Sequence, residues 1–250
     1  MDAEQKMRDV TALILAGGKG TRIAQIHPGI PKPTLEVAGK PFLFFLLSQL
    51  KQAGVKNVVV SVGYNAPLFV ERMQSFIPEF LNVFYSEEPT PLGTGGGAAY
   101  AARDYVGKVD DKGARGPFLV MNGDSILLGN WTSRLSMVPI DQAAIVVRHI
   151  NDVSRYGAVS VDGGFLTGFA EKGRTGPGWI NAGIYQIPFD WIDEVPEQKI
   201  FSIEEHFFPM WLKQGRKIVS VCHEGPFIDI GTPESLNEAS QFVLHNLINV

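Results

Sequence analysis

Thr11-Ala12-Leu13-Ile14-Leu15-Ala16-Gly17-Gly18-Lys19-Gly20-Thr21-Arg22 is the stretch that decides the fold. Its first half is apolar without alternation, which reads as a strand buried on both faces, the kind found in parallel sheets covered by helices. Three glycines and two cations then follow at the strand's carboxyl end. Glycines there let backbone N–H groups approach an anion closely, and Lys19 and Arg22 turn the reading toward phosphate. The loop is not a P-loop, because no Gly-Lys-Ser/Thr follows at the required distance. Ile23 stands where the dinucleotide fingerprint needs a third small residue. A triphosphate held in some other way is what the stretch suits.

Working outward, Asn57 to Val62, Val83 to Ser86 and Phe118 to Asn122 repeat the apolar run. Between them, Pro41 to Ala53 carries a helical apolar stripe and stops at Gly54, and Ala66 to Phe76 follows Asn65 as a cap. This alternation predicts a mainly parallel sheet with crossover helices. From residue 143 the pattern changes. Ala143 to Ile150, Gly157 to Val161 and Phe165 to Glu171 lie close together around the turn Asp162-Gly163-Gly164, which predicts antiparallel hairpins. Trp179 to Ile187, Lys217 to Cys222 and Pro226 to Ile230 read as further extended segments. Ser202 with Glu205 reads as a capping box, and Thr232-Pro233-Glu234 as a helix start.

Composition narrows the function. The chain has 250 residues, 45% hydrophobic and 19% charged, with a formal net charge of -4, which is ordinary for a globular protein with a large core. Its scattered Lys and Arg argue against a nucleic-acid partner, and the absence of a long apolar run argues against a membrane one. Cys222 is the single cysteine, so no intrachain disulfide is expected. Val10 to Ala16 follows acidic residues and runs into glycines, unlike a cationic leader, which places the chain in the cytoplasm. The five histidines show no zinc spacing.

Several further residues carry candidate chemistry. Lys32 lies between Pro31 and Pro33, which stiffen the backbone and hold it as a fixed charge. Asp124 ends an apolar strand, where open α/β sheets place ligands, and Asp229 repeats the arrangement inside Phe227-Ile228-Asp229-Ile230-Gly231. A buried acid needs a partner, and one Mg2+ shared by Asp124 and Asp229 satisfies both. Glu87 or Glu88 can accept hydrogen bonds from the guanine N1 and N2 hydrogens. Gly93, Gly95 and Ala98 also match a G-x-G-x-x-A dinucleotide pattern, so a Rossmann oxidoreductase stays open at this point.

Taken together, Gly17-Gly18-Lys19-Gly20-Thr21-Arg22 and Pro31-Lys32-Pro33 resemble the signature of the sugar-1-phosphate nucleotidylyltransferases, and the resemblance runs from Leu13 to about Ala239. It implies a Rossmann-like three-layer α/β fold with a mixed, mainly parallel sheet and added hairpins. It implies a single domain, with a nucleotide-binding half over about 10–142, a sugar-phosphate half over about 143–232 and a C-terminal helix from 233. The substrates implied are small molecules, a nucleoside triphosphate and a sugar 1-phosphate, joined with release of pyrophosphate. Leu15, Gly17, Gly18, Gly20, Thr21, Gly93, Thr94 and Gly123 would then hold the nucleotide, with Glu87 or Glu88 at the base. Arg22 would sit on the leaving pyrophosphate, Lys32 near the α-phosphate, and Asp124 and Asp229 on Mg2+. Tyr156, Gly157, Glu171, Lys172 and Asn181 resemble the sugar 1-phosphate pocket. Many members have proline after Glu-Lys, where this chain has Gly173-Arg174, so Arg174 can supplement Lys172.

Ile180-Asn181-Ala182-Gly183-Ile184-Tyr185 and Phe201-Ser202-Ile203-Glu204 resemble most the D-glycero-α-D-manno-heptose 1-phosphate guanylyltransferases, whose product is GDP-heptose for surface polysaccharide such as capsule. Looser forms occur among uridylyl-, thymidylyl- and cytidylyltransferases. A non-catalytic sensor of nucleotide sugars and a homodimer are also left open.

Overall fold

The computed structural model describes residues 7, 10–18, 20–108, 116–169, 175–197 and 200–247. Its strands are β1 (Thr11–Leu15), β2 (Glu36–Val37), β3 (Lys40–Pro41), β4 (Asn57–Val62), β5 (Asn82–Glu87), β6 (Phe118–Asn122), β7 (Ser125–Leu127), β8 (Ala144–Ile150), β9 (Ala158–Asp162), β10 (Phe165–Phe169), β11 (Gly178–Ile187), β12 (Val219–His223) and β13 (Phe227–Asp229). Nine of them form one sheet in the order β5-β4-β1-β6-β11-β8-β12-β10-β9. The first four are mutually parallel, and β11 then pairs antiparallel with β6, which carries the sheet without a break into the second half of the chain.

The unbroken apolar runs have a direct structural reason. Successive strand side chains point to opposite faces. Ala12 and Ile14 accordingly enter one core cluster while Leu13 enters the other, and Val58 and Val60 separate from Val59 in the same way. Each face is covered by helices. Phe42–Gln52 lays Phe42, Leu43, Leu46, Leu47 and Leu50 on one side and ends just before Gly54, whose φ of 90° a glycine adopts freely. On the other side Gly93–Lys108 packs through Ala98, Ala99, Ala101 and Ala102, small residues that bring the helix close to the sheet. The result is the three-layer α/β architecture.

In the second half, β9 and β10 form the expected hairpin, with Gly163 and Gly164 at φ of 54° and 83°. The strands there are not all antiparallel. β12 runs parallel to β8, because the helix Phe208–Lys213 returns the chain to the same end of the sheet before β12 begins. β9 also pairs with β11, so β11, β8, β12, β10 and β9 close on one another and leave no open edge among themselves.

Two local readings need correction, and a third holds. Asn65 does not cap its helix: it is left-handed at φ 55°, and its Nδ2 donates to Gly29 O. Ser202 caps as expected, accepting from the Glu204 and Glu205 N–H groups, but His206 Nδ1 rather than Glu205 accepts from the Ser202 N–H. The first turn, Ile203–Phe207, is a π-helix, and its wider winding places a residue one position later beneath the cap. Thr232 caps Pro233–Asn246, with Ser235 closing the box.

Candidate functional site

A cleft of about 800 Å³ opens at the carboxyl ends of the parallel strands, where the polarity of the β-α connections leaves room for a ligand. Leu15, Gly17, Gly18 and Gly20 line it, as do Glu87, Glu88, Gly93 and Thr94, and Lys32 and Asp124 belong to the same lining. Gly123 lies just beneath: its N–H donates to Leu15 O at 2.9 Å, and a Cβ there would meet that oxygen at 2.8 Å. Thr21 and Arg22 open the short helix Thr21–Ala24, where Arg22 is exposed and is not part of the cleft lining. Lys19 lies outside the described residues. Gly63, Tyr64 and Asn122 also line the cleft, and sequence reasoning missed them. Their signal was position, at the ends of β4 and β6.

The adjacent acids Glu87 and Glu88 face different environments. Glu87 is exposed in the cleft lining. Glu88 turns inward: Ser61 Oγ donates to its Oε1 at 2.7 Å and the Leu92 N–H donates to Oε2 at 3.2 Å. Burial, opposed by these two bonds, holds its carboxyl above the ordinary value. The close approach of Gly17 and Gly97 makes this possible, since a Cβ at either would stand 2.4 or 2.7 Å from Glu88 Oε1. The carboxylate is thus a brace joining the glycine loop, β4 and the loop before Gly93.

Gly93 to Gly97 do not offer a dinucleotide site. The Gly95 and Gly96 N–H groups, which would have to reach a pyrophosphate, donate instead to Phe201 O at 2.7 and 3.0 Å.

Within the cleft lining, Lys32 Nζ lies 2.6 Å from Asp124 Oδ2, with the lysine side chain 13% and the aspartate 37% exposed. Gly20, left-handed at φ 54°, passes so close that a Cβ would stand 3.2 Å from Lys32 Cβ and Cδ, so the loop itself confines the lysine stem. Asp229 arrives from the far end of the chain because β13 pairs antiparallel with β7, setting Asp229 opposite Ser125, and the Ile230 N–H donates to Asp124 O. Asp229 Oδ1 accepts from the Gly231 N–H at 2.7 Å, and a Cβ on Gly231 would lie 3.9 Å from Lys32 Nζ. Lys32, Asp124 and Asp229 therefore converge. Tyr156 joins them: burial, then the charge and hydrogen bond of Asp229, raise its hydroxyl above the ordinary value, and its ring meets Phe227 edge-on.

Two acids with phosphate oxygens suit Mg2+, which takes hard oxygen ligands and commonly only one or two carboxylates. Among the described residues no group of three or more His, Cys, Asp or Glu gathers as a self-sufficient cation site.

In the second half, Gly157 and Asn181 adjoin, the Asn181 N–H donating to Gly157 O at 3.0 Å. The Asn181 side chain is engaged within the protein. Its Nδ2 donates to the Tyr185 hydroxyl at 2.6 Å and to Glu204 Oε1, and its Oδ1 accepts from the Gly183 N–H at 2.8 Å. Tyr185 is fully buried, which pushes its hydroxyl well up, helped by the charge of Glu204. Glu171, Lys172 and Arg174 lie outside the described residues.

Comparison with known proteins gives the family. A family described as nucleotidyl transferase matches residues 11–246. A D-glycero-α-D-manno-heptose 1-phosphate guanylyltransferase of Campylobacter jejuni is 36% identical over 228 residues, covering 89% of this chain and 95% of that one. A mannose-1-phosphate guanylyltransferase of Mycobacterium tuberculosis is 33% identical over 92% of this chain, which spans 64% of its length. The crystal structure of HddC from Yersinia pseudotuberculosis, complexed with GMP-PN, superposes with a TM-score of 0.79 at 31% identity, covering 93% of this chain and 99% of that one. From the glycine loop, the converging lysine and aspartates and a match over nearly its whole length, this chain belongs to the nucleotidyl transferase family, as an enzyme whose relatives are sugar-1-phosphate guanylyltransferases.

Proposed function

We propose that the chain transfers a guanylyl group from GTP to D-glycero-α-D-manno-heptose 1-phosphate, giving GDP-heptose and pyrophosphate. The observation that carries the transfer chemistry is the convergence of Lys32, Asp124 and Asp229 at the glycine-lined cleft. The choice of pair rests on the 36% relative, which this chain spans over 95% of its length, and on HddC, whose structure was determined with GMP-PN.

An oxygen of the sugar phosphate attacks the α-phosphorus of the nucleotide, and the bond to pyrophosphate breaks. Nothing covalent is asked of the protein, so its contribution is positioning and charge neutralisation. Lys32 neutralises the α-phosphate, while Arg22, exposed at the mouth of the glycine loop, swings onto the leaving pyrophosphate. Glycines 17 and 18 let the phosphates lie against main chain, and Glu87 reads the base. Asp124 and Asp229 would hold Mg2+, which supplies charge stabilisation to the phosphates. Acting in the cytoplasm, the enzyme would supply such a product for surface polysaccharide.

The test is pyrophosphate release with magnesium, crossing GTP, UTP, dTTP, CTP and ATP against heptose, mannose and glucose 1-phosphates. Release confined to GTP and the heptose phosphate is expected. Release with mannose 1-phosphate instead would move the chain to the activity of its Mycobacterium tuberculosis relative. Nucleotide binding without release across the panel would refute the transfer and favour a sensor.

A further inference from the structure

The turn that carries Lys32 is fastened from outside the cleft. Lys32–Thr34 is a single 3-10 turn, and Thr34, fully buried, closes it: its N–H and its Oγ1 both donate to Pro31 O, at 2.9 and 2.8 Å. Thr34 is held in turn by Arg72, from the last turn of the helix Ala66–Met73. Arg72 Nε donates to Thr34 Oγ1 at 3.1 Å and Nη2 donates to Thr34 O at 3.0 Å, so one planar guanidinium grips the side chain and the main chain of the same residue. Among the described residues Arg72 forms no ion pair. The chain around this helix holds the Lys32 loop at a second point, where Asn65 Nδ2 donates to Gly29 O at 2.8 Å. Gly63 and Tyr64, just before Asn65, line the nucleotide cleft. Pro31 and Pro33 stiffen the backbone beside Lys32, but where that stiff segment sits depends on what it is tied to.

We infer that Arg72 is a positioning residue for Lys32: it acts through Thr34, by fixing the turn from which the lysine reaches the α-phosphate. This rests on the guanylyl-transfer reading above, through the role given there to Lys32. A lysine is a point charge on a flexible stem, so its Nζ is placed by its backbone and by whatever confines the stem. Gly20 confines the stem, and Arg72 fixes the backbone through Thr34. A misplacement of about 1 Å can cost roughly a hundredfold in rate. Because the lysine acts on charge that develops in the transition state, the loss falls on kcat rather than on KM.

Two readouts test this in Arg72→Met and in Thr34→Val, which removes the hydroxyl and keeps the side-chain shape. The first needs no turnover: amines of the protein without substrate are labelled with an acylating reagent and read by mass spectrometry. Lys32, 13% exposed and held against Asp124, should label slowly in the wild-type protein and several-fold faster in both variants, with the exposed Lys51 unchanged as internal standard. The second is pyrophosphate release from GTP and D-glycero-α-D-manno-heptose 1-phosphate, with enzyme in excess for slow variants. Arg72→Met and Thr34→Val should lose about tenfold to a hundredfold in kcat with little change in KM for GTP, and Thr34→Ser, which keeps the hydroxyl, should restore most of the rate lost in Thr34→Val. In a Lys32→Met background, Arg72→Met should cost nothing further, since a residue acting through the lysine has nothing left to act on. Unchanged Lys32 labelling, or a rate loss for Arg72→Met as large without Lys32 as with it, would overturn the inference and leave the proposed function standing. Faster Lys32 labelling in a protein that releases no pyrophosphate from any substrate pair would instead sink the proposed function and leave Arg72 as the residue that places Lys32.

Discussion

Substituting Gly17 by alanine tests the brace formed by Glu88, and Gly18→Ala is its internal control. Neither glycine has a left-handed φ, so alanine fits the backbone at both positions. They differ in what the new methyl meets. At Gly18 it meets nothing within 4 Å; at Gly17 it lies 2.4 Å from Glu88 Oε1 and 3.1 Å from Cδ. Non-bonded carbon contacts relax at about 3.5–4.0 Å, so the carboxylate must retreat by about 1 Å. A Ser61 Oγ donor now at 2.7 Å is then out of reach, and the weaker 3.2 Å bond from Leu92 N–H is strained. Loss of one such bond to a charged or buried group costs about 1–3 kcal/mol. For a chain of this size about 2 kcal/mol lowers Tm by roughly 4–8 °C. Thermal melting by circular dichroism should thus show a fall of that order for Gly17→Ala and none for Gly18→Ala. The order should reverse in GTP titrations of the folded proteins at low temperature, where Gly18→Ala puts its methyl into the open cleft. Equal Tm values for the two variants would falsify the argument, because they would mean that Glu88 is not wedged beneath the loop.

Further outcomes follow from the same site. Arg22→Ala should reduce turnover by about a thousandfold or more, as a transition-state arginine does in related phosphoryl transfers, while its exposure predicts an unchanged Tm; a near-normal rate would remove Arg22 from the reaction. Asp229→Asn should raise the Mn2+ concentration needed for half-saturation, read by electron paramagnetic resonance in the presence of GTP, by about tenfold or more, and an unshifted midpoint would take Asp229 off the cation. Burial raises the Glu88 carboxyl, so the folded chain holds this proton to higher pH than the unfolded one. The stability that Glu88 contributes is present below the ordinary carboxyl range and is lost as pH rises through the raised folded value. Glu88→Gln should flatten that part of the Tm-against-pH curve, and an unchanged slope would show that the group is not desolvated.

Much of this molecule was legible in order of sequence. Asn57 to Val62 and Phe118 to Asn122 are strands over the residues whose apolar run announces them, and Thr11 to Ala16 is one residue short of its reading. Such a run is a local pattern, and burial on both faces of a parallel strand requires it. The glycine loop after β1 was readable for the same reason: small residues at a strand end report a close approach of backbone wherever the chain goes next. Even Lys32 was marked by its two prolines.

Partner choice was not legible. Lys32 meets Asp124, 92 residues away, and Asp229 joins them only because β13 pairs with β7. Glu87 and Glu88 are the same residue type side by side, and strand alternation alone does not say that Ser61 and Leu92 will claim the second. Asn181 was read as a group turned toward substrate, whereas Tyr185, Gly183 and Glu204 take its three hydrogen bonds. Which segments extend, which coil and where backbone can approach a phosphate were already set along the chain, because those properties depend on neighbours in sequence. The tertiary structure decided which polar group each side chain satisfies, because a buried donor or acceptor must take whatever partner the packing of distant strands brings within about 3 Å.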